Sequence, residues 1–391
     1  MFALRAARLF DGISASPLRR PLVVIDNGQI IEVCGSAAAR PDVEVIDLGD
    51  VTLLPGLIDC HQHLVFDATS DPVGHLADRD DDSVLELARA AARSSLSAGI
   101  TTVRDLGDRS YVLLALRDEL ADDPSAGPGL LIAGPPITTP GGHCWFLGGQ
   151  AQGVEGVRAA VREHAAHGVD VIKVMVTGGG LTPGSVRHES QYGPAELRAI
   201  VGEAHRLGLA VTGHAQSARG IADAVAAGFD GIEHCLFLAP EGVRADPAVI
   251  QAMAAAGTCV SITAAFKDPA EDAIGDPALV QNLQPLVDTL TAMRAAGVRL
   301  VMSSDAGVTP SLVHDGLPYG AGLLPVIGMS PEEALAAVTS VPAAACGAAD
   351  TKGRVSPGYH ADLLAVSGDP LADPASLRKV AAVYRHGVRV V

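Results

Sequence analysis

The sequence predicts an α/β fold: a TIM (β/α)8 barrel over residues 55–352, carrying a small β-sandwich domain formed by residues 1–54 and 353–391. Three observations predict it. Between Ile100 and Asp305, short β-branched runs ending in polar residues alternate with Ala/Leu/Arg/Glu stretches of helical period. Helix-to-strand junctions repeat an Ala-Gly step, at Ala98-Gly99, Ala227-Gly228, Ala256-Gly257 and Ala296-Gly297. Both ends of the chain break this rhythm and read as short alternating strands.

Taken in order, residues 1–54 hold alternating strands with turn signals such as Asp26-Asn27-Gly28. Leu57–His61 is the first barrel strand, followed by Ile100–Asp105, Gly129–Ala133, Val169–Val176, Ala210–His214, Gly231–His234, Cys259–Thr263 and Arg299–Ser304. The helices between them have readable ends. Val154–His167 closes at Gly168, Pro194–Leu207 at Gly208 and Pro247–Ala256 at Gly257, each glycine suiting a left-handed stop. Pro194 and Pro247 fit a first turn, and Asp246 fits an N-cap. Repeated β-then-α units with short junctions favour a parallel sheet covered by helices. Eight of them suit a closed barrel better than an open sheet, and no GxGxxG follows the first strand. Strands at Ala361–Val366, Val380–His386 and Gly387–Val391 complete the chain and are expected to pair with the N-terminal ones.

Composition narrows the function. With 391 residues and 48% hydrophobic content, a large buried core is available. A net charge of −17 argues against a nucleic acid or an anionic membrane surface as partner, since either would be repelled. Aromatics at 3% leave no stacking platform for bases. Cys34, Cys60, Cys144, Cys235, Cys259 and Cys346 contain no CxxC pair, so they read as buried thiols of a reducing compartment. The first dozen residues carry Arg5, Arg8 and Asp11 and lack the apolar core of a signal peptide. No run approaches the roughly 18 apolar residues of a membrane span. The expectation is a cytoplasmic enzyme of small molecules; homo-oligomerisation is left open.

Active sites of such barrels sit at the C-terminal strand ends. There the sequence places His61-Gln62-His63, Lys173, His214, His234 and Asp305. In an extended chain, His61 and His63 share one side and can grip one ion together. Four imidazoles and a carboxylate suit zinc. A lysine ammonium among divalent cations would be repelled, so Lys173 is expected to be neutral or carbamylated by CO2 into an anionic bridge. Two ions a few Å apart then acidify a shared water and polarise a substrate carbonyl.

At these residues the chain resembles the amidohydrolase superfamily. Its likeness is greatest to the imidazolonepropionase-like branch that includes Xaa-Pro and related dipeptidases using a carbamylated lysine. The matching text is Leu54–His63 (LPGLIDCHQH), Gly99–Asp105 (GITTVRD), Val171–Gly180 (VIKVMVTGGG), Thr212–Ala215 (TGHA), Ile232–His234 (IEH), Ser304–Gly307 (SDAG) and Gly353–Leu363 (GRVSPGYHADL). The resemblance implies that His61, His63 and Asp305 hold one metal and His214 and His234 the other. Carbamylated Lys173 and a hydroxide would bridge the two. It further implies that Asp305 shuttles the proton from the attacking water to the leaving amine, and that His143 polarises the substrate carbonyl. The activity implied is hydrolysis of a C–N bond in an N-acyl amino acid or dipeptide.

Other residues have plainer readings. Tyr192, near Arg187 and His188, is a candidate for holding a substrate carboxylate, as is Arg187 itself. Lys173 could instead pair with Asp170, and Asp305 could cap a helix. Arg104-Asp105 reads as a buried ion pair or a loop anchor. His164, His167 and His205 suit helix ends, while His75, His360 and His386 read as solvated. Gly178-Gly179-Gly180 lacks the Lys-Ser/Thr tail of a phosphate loop and reads as a lid. After the eighth strand the chain departs from the branch, with His314-Asp315-Gly316-Leu317 where relatives show His-Gly and then Glu-Leu. The rival functions are a mononuclear deaminase or cyclic-amide hydrolase, a lactone or phosphoester hydrolase on the same site, and a non-catalytic relative.

Overall fold

The computed structural model describes residues 1–16, 18, 20–35, 43–267 and 282–391. Eight strands carry the centre of the molecule: Leu57–Gln62, Ile100–Asp105, Gly129–Ile132, Val171–Met175, Ala210–Ser217, Gly231–Ala239, Cys259–Thr263 and Arg299–Ser303. All eight stand where the sequence places strands, with ends shifted by a few residues. The first three form one parallel sheet and the last five another.

Where one continuous ladder is expected, the two sheets are joined only by isolated parallel bridges, Gln62↔Ala306 and Ile137↔Val174. The sequence explains the second of these interruptions. Against the second strand, Leu57–Gln62 slips register twice, between Leu57 and Ile58 and between Asp59 and Gln62. Its pairing with the eighth strand resumes beyond the latter's end, with Asp305 N donating to His61 O at 2.8 Å and His63 N to Ala306 O at 2.9 Å. On the other side, Pro135 and Pro136 have no N–H to give a ladder. The third strand therefore stops at Ile132 and meets the fourth again at Ile137, which donates to Lys173 O and accepts from Met175 N.

Helices cover the strands as their periodicity requires. In Asp81–Ser97, Asp80 caps the first turn through Ser83 N, and Val84, Ala88, Ala91, Ala92, Ser95 and Leu96 form the buried face. The helix Gly153–His167 ends at Gly168 (φ 79°) and Pro247–Ala256 at Gly257 (φ 68°), the left-handed stops expected. Among the described residues, no helix is long and apolar enough to cross a membrane.

The chain ends pair with each other. Strand Leu363–Ser367 runs antiparallel to Val51–Pro55, with Leu364 opposite Leu54, and Arg8–Leu9 and Val380–Arg385 flank them. A second sheet comprises Gln29–Cys34, Leu22–Asp26, Phe2–Arg5 and Glu44–Asp47. Its Asn27-Gly28 turn takes positive φ at both positions (46° and 77°), the mirror-image turn that matches strand twist. Leu4, Val23, Ile25 and Ile30 from this sheet bury one cluster with Leu53, Leu363, Ala365 and Ala382 from the other. The crossing to the central strands is at Gly56, where a Cβ would stand 2.1 Å from Thr101 Oγ1. The final strand covers only Val388–Arg389 of the expected Gly387–Val391.

Candidate metal centre

Six of the residues singled out by position converge on a cavity of about 290 Å³: His61, His63, Lys173, His214, His234 and Asp305 all line it. The tightest group is His61 Nε2, His63 Nε2 and Asp305 Oδ1. The two nitrogens are 3.3 Å apart and stand 3.2 and 3.3 Å from the oxygen. His234 lies alongside, its ring centroid 5.1 Å from that of His61 and 4.5 Å from that of His214. His234 and Asp305 adopt left-handed backbone (φ 66° and 57°). Such strain costs about 1–3 kcal/mol per residue and tends to mark functional positions.

The far nitrogens of three rings are tied down, which aims the near ones. His61 Nδ1 meets Glu233 Oε2 at 2.8 Å, His214 Nε2 meets Gly178 O at 3.0 Å, and His234 Nδ1 meets Thr263 Oγ1 at 2.7 Å. Outer partners of this kind fix ring orientation at metal sites. Burial, reinforced by the Lys173 ammonium, pushes His61 down to about 4. Burial likewise takes His234 down to about 3 and holds His214 well below its ordinary value. All three are therefore neutral near pH 7, the form that ligates metal. Burial raises the Asp305 carboxyl, but His61, His63 and His234 beside it prevail and hold it well below the usual carboxylate range.

Glu233 is a functional residue the sequence reading passed over. It is buried and receives Arg104 Nη2 at 3.0 Å and the Thr212 hydroxyl besides His61. Arg104 Nε also holds Cys60 O at 2.8 Å. Its ion pair is thus with Glu233 and not with the adjacent Asp105, which instead anchors the loops through Leu64 N and Gly107 N. The only sequence signal was the letter between Ile232 and His234 in a matching motif. Asp170, offered as a partner for Lys173, pairs with Arg117 at 3.0 Å.

Whether these residues suit metal ions can be tested on distances. Ligand atoms about 2.05 Å from a tetrahedral ion stand roughly 3.3 Å apart, the spacing of the three-atom group. The Lys173 Nζ atom is buried with no hydrogen-bond partner, and burial lowers its ammonium to about 8. An orphaned amine among four imidazoles is what a carbamate bridge would explain. The donor set fits. One other group of three ligand atoms occurs among the described residues, His360, Asp362 and His386. Both histidines, expected in solvent, are half-buried there, and Lys352 Nζ already neutralises Asp362.

Around these candidate ligands, His143, Cys144, Leu181, Arg187, Gln216 and Val308 form part of the wall. Thr182 Oγ1 accepts Cys144 N at 2.8 Å and lies 3.1 Å from His143 Nδ1. Thr182 can give its own proton to that nitrogen, leaving Nε2–H as the donor on the cavity side. Burial takes His143 down to about 4, so it is a neutral donor. Gly179 makes room for it, since a Cβ there would stand 2.3 Å from His143 Nε2. Tyr192, a candidate for holding substrate, does not face this cavity. It is buried, its hydroxyl donates to Ala151 O at 2.8 Å, and it is not among the cavity-lining residues. The aromatic ring packs into the main hydrophobic core, so it is not placed to hold a carboxylate in this cavity.

The amidohydrolase family model matches residues 52–390. The chain is 30% identical over 395 residues to the ochratoxinase of Aspergillus niger, covering 91% of this chain and 79% of that one. It is 29% identical over 384 residues to an imidazolonepropionase of Chromobacterium violaceum, covering 87% and 82%. Among solved structures, a Xaa-Pro dipeptidase with methionine bound in its active site superposes with a TM-score of 0.86 at 29% identity, over 99% of both chains.

Proposed function

The chain belongs to the amidohydrolase family and is a hydrolytic enzyme acting on C–N bonds, and on that premise we propose that it cleaves the amide of a small N-acyl amino acid or dipeptide at a pair of divalent metal ions. The observation that carries the reading is the buried, unpartnered Lys173 amine beside the three-atom group of His61, His63 and Asp305. In this reading His61, His63 and Asp305 would hold one ion and His214 and His234 the other, with Lys173, as a carbamate, the residue that would serve both. Zinc or a similar ion bound there supplies Lewis acidity to a substrate carbonyl and an acidified water.

The chain's own residues do the rest. His143 Nε2–H binds the carbonyl oxygen and favours the charge that develops on it. Asp305, ionised at neutral pH, accepts a proton and returns it to the leaving amine. Arg187, on the cavity wall, pairs with the substrate carboxylate. Leu181, Val308 and Leu312 exclude water from the remainder. A space of about 290 Å³ is at the small end for ligand pockets, which suits a substrate of two residues or fewer. The two bridged parallel sheets are read as one (β/α)8 barrel over residues 55–352, and the paired ends as a β-sandwich domain. All six cysteines are free, which suits a reducing, cytoplasmic setting.

A screen of the metal-loaded protein against N-acyl amino acids, dipeptides, cyclic imides, lactones and phosphoesters tests the reading. Turnover of the first two supports it. Turnover confined to cyclic imides with one metal per chain assigns the mononuclear alternative, and turnover of lactones or phosphoesters alone rejects the amide.

A further inference from the structure

We propose that Cys60 and Cys346 are a redox-modification site, a thiol pair that a hydroperoxide converts to a disulfide tying the first central strand to the end of helix Ser340–Ala345. Their sulfurs are 3.4 Å apart although 286 residues separate them in the chain. A disulfide bond of about 2.04 Å needs the sulfurs to close by only about 1.4 Å. That movement falls on Cys346. Cys60 lies within strand Leu57–Gln62, whereas Cys346 is the C-cap of a six-residue helix. Gly347 follows it with positive φ and has nothing within 4 Å of where a Cβ would stand.

Access and charge give the two sulfurs different parts. Cys60 is buried and residue Cys346 partly exposed, so of the two Cys346 lies nearer solvent and is assigned the first step. The hydrogen bond with Cys60 lowers the Cys346 thiol, burial opposes this, and the Arg104 guanidinium adds to the lowering. Cys346 sulfur attacks the hydroperoxide, forming an S–O bond as the O–O bond breaks and an alcohol or water leaves. Cys60 sulfur then attacks the sulfenic sulfur. The S–S bond forms, the S–O bond breaks, and water carries away the oxygen and the proton. Two thiols lose two electrons to one peroxide.

Cys259 packs with both residues, yet neither three-ligand group found among the described residues contains a cysteine. The pair also has a route to the metal centre. Cys60 precedes His61 in the strand and its carbonyl is held by Arg104, which holds Glu233, which holds His61 Nδ1. Closing the bond tethers the residue from which that network hangs to the end of helix Ser340–Ala345.

The test treats the full chain with a few equivalents of hydrogen peroxide, alkylates free thiols under denaturing conditions and maps the unreduced digest. A linked peptide containing Cys60 and Cys346, an intact mass lower by about 2 Da and reversal by dithiothreitol are expected. Cys346→Ser should yield no link and leave Cys60 fully alkylated. Wild-type Cys60 alkylated in full, sulfinic acids without a link, or a link between other cysteines would overturn the proposal. This readout needs no substrate, so it stands or falls apart from the assigned hydrolysis. A thiol-reversible change in hydrolysis rate, absent in Cys346→Ser, is the expected sign of coupling to His61. A linked protein with unchanged rate overturns that coupling.

Discussion

Replacing Glu233 by Gln keeps the shape of the side chain and removes the charge on which two buried groups depend. Arg104 would be left buried without its counter-ion, a change that costs about 3–5 kcal/mol. An unfolding entropy of roughly 2 cal/mol/K per residue over 391 residues converts this to a fall of about 4–6 °C in thermal midpoint. His61 would lose the carboxylate that orients its ring, and loss of such a partner weakens metal binding about 10–100-fold. A second variant, Glu233→Gln with Arg104→Met, separates the two effects. With no orphaned charge, stability should largely return, while metal affinity should stay low. Calorimetry of the apo protein and competition against a chelating dye read the two quantities independently. A midpoint within 1 °C of wild type together with unchanged affinity would refute the reasoning, because neither Arg104 nor His61 would then depend on Glu233.

Three further outcomes are expected. Gly179→Ala puts a Cβ against His143 Nε2, so kcat should fall by about 100-fold or more, as on losing an oxyanion donor, with metal content unchanged; steady-state kinetics and elemental analysis check it. Arg187→Met should raise KM for N-acyl amino acids and dipeptides while leaving their C-terminal amides unaffected, which a paired substrate series measures. Burial, with Asp105 nearby, pushes Asp108 up to about 7, above its unfolded value, so its contribution to stability is present at low pH and lost as pH rises through 7. Wild type should lose about 3 kcal/mol from this group between pH 5 and 8, and Asp108→Asn should flatten that slope in denaturant titrations.

What the sequence shows of this site follows from how local each signal is. His61 and His63 are legible because alternation in one strand puts them on one side, and the two nitrogens do lie 3.3 Å apart. His214, His234 and Asp305 are legible because each falls at the end of a β-branched run. Lys173 is legible because an ammonium among divalent cations would be repelled. Glu233 is not, because its meaning depends on Arg104 and His61, which lie 129 and 172 residues away. Tyr192 misled for the converse reason. Its neighbours Arg187 and His188 suggested a binding loop, but packing turned its ring into the core. In the fold, the break between the two parallel sheets was written at Pro135-Pro136 but not at the first strand, whose two register slips have no signature in its residues.

Diffraction from zinc-loaded crystals grown with bicarbonate, recorded at the zinc edge, addresses the proposed pair of ions directly. Two anomalous peaks are predicted, one within about 2.0–2.2 Å of His61, His63 and Asp305 and one beside His214 and His234, with added density on Lys173 Nζ between them. A single peak beside an unmodified Lys173 would contradict the assignment of a two-metal hydrolase.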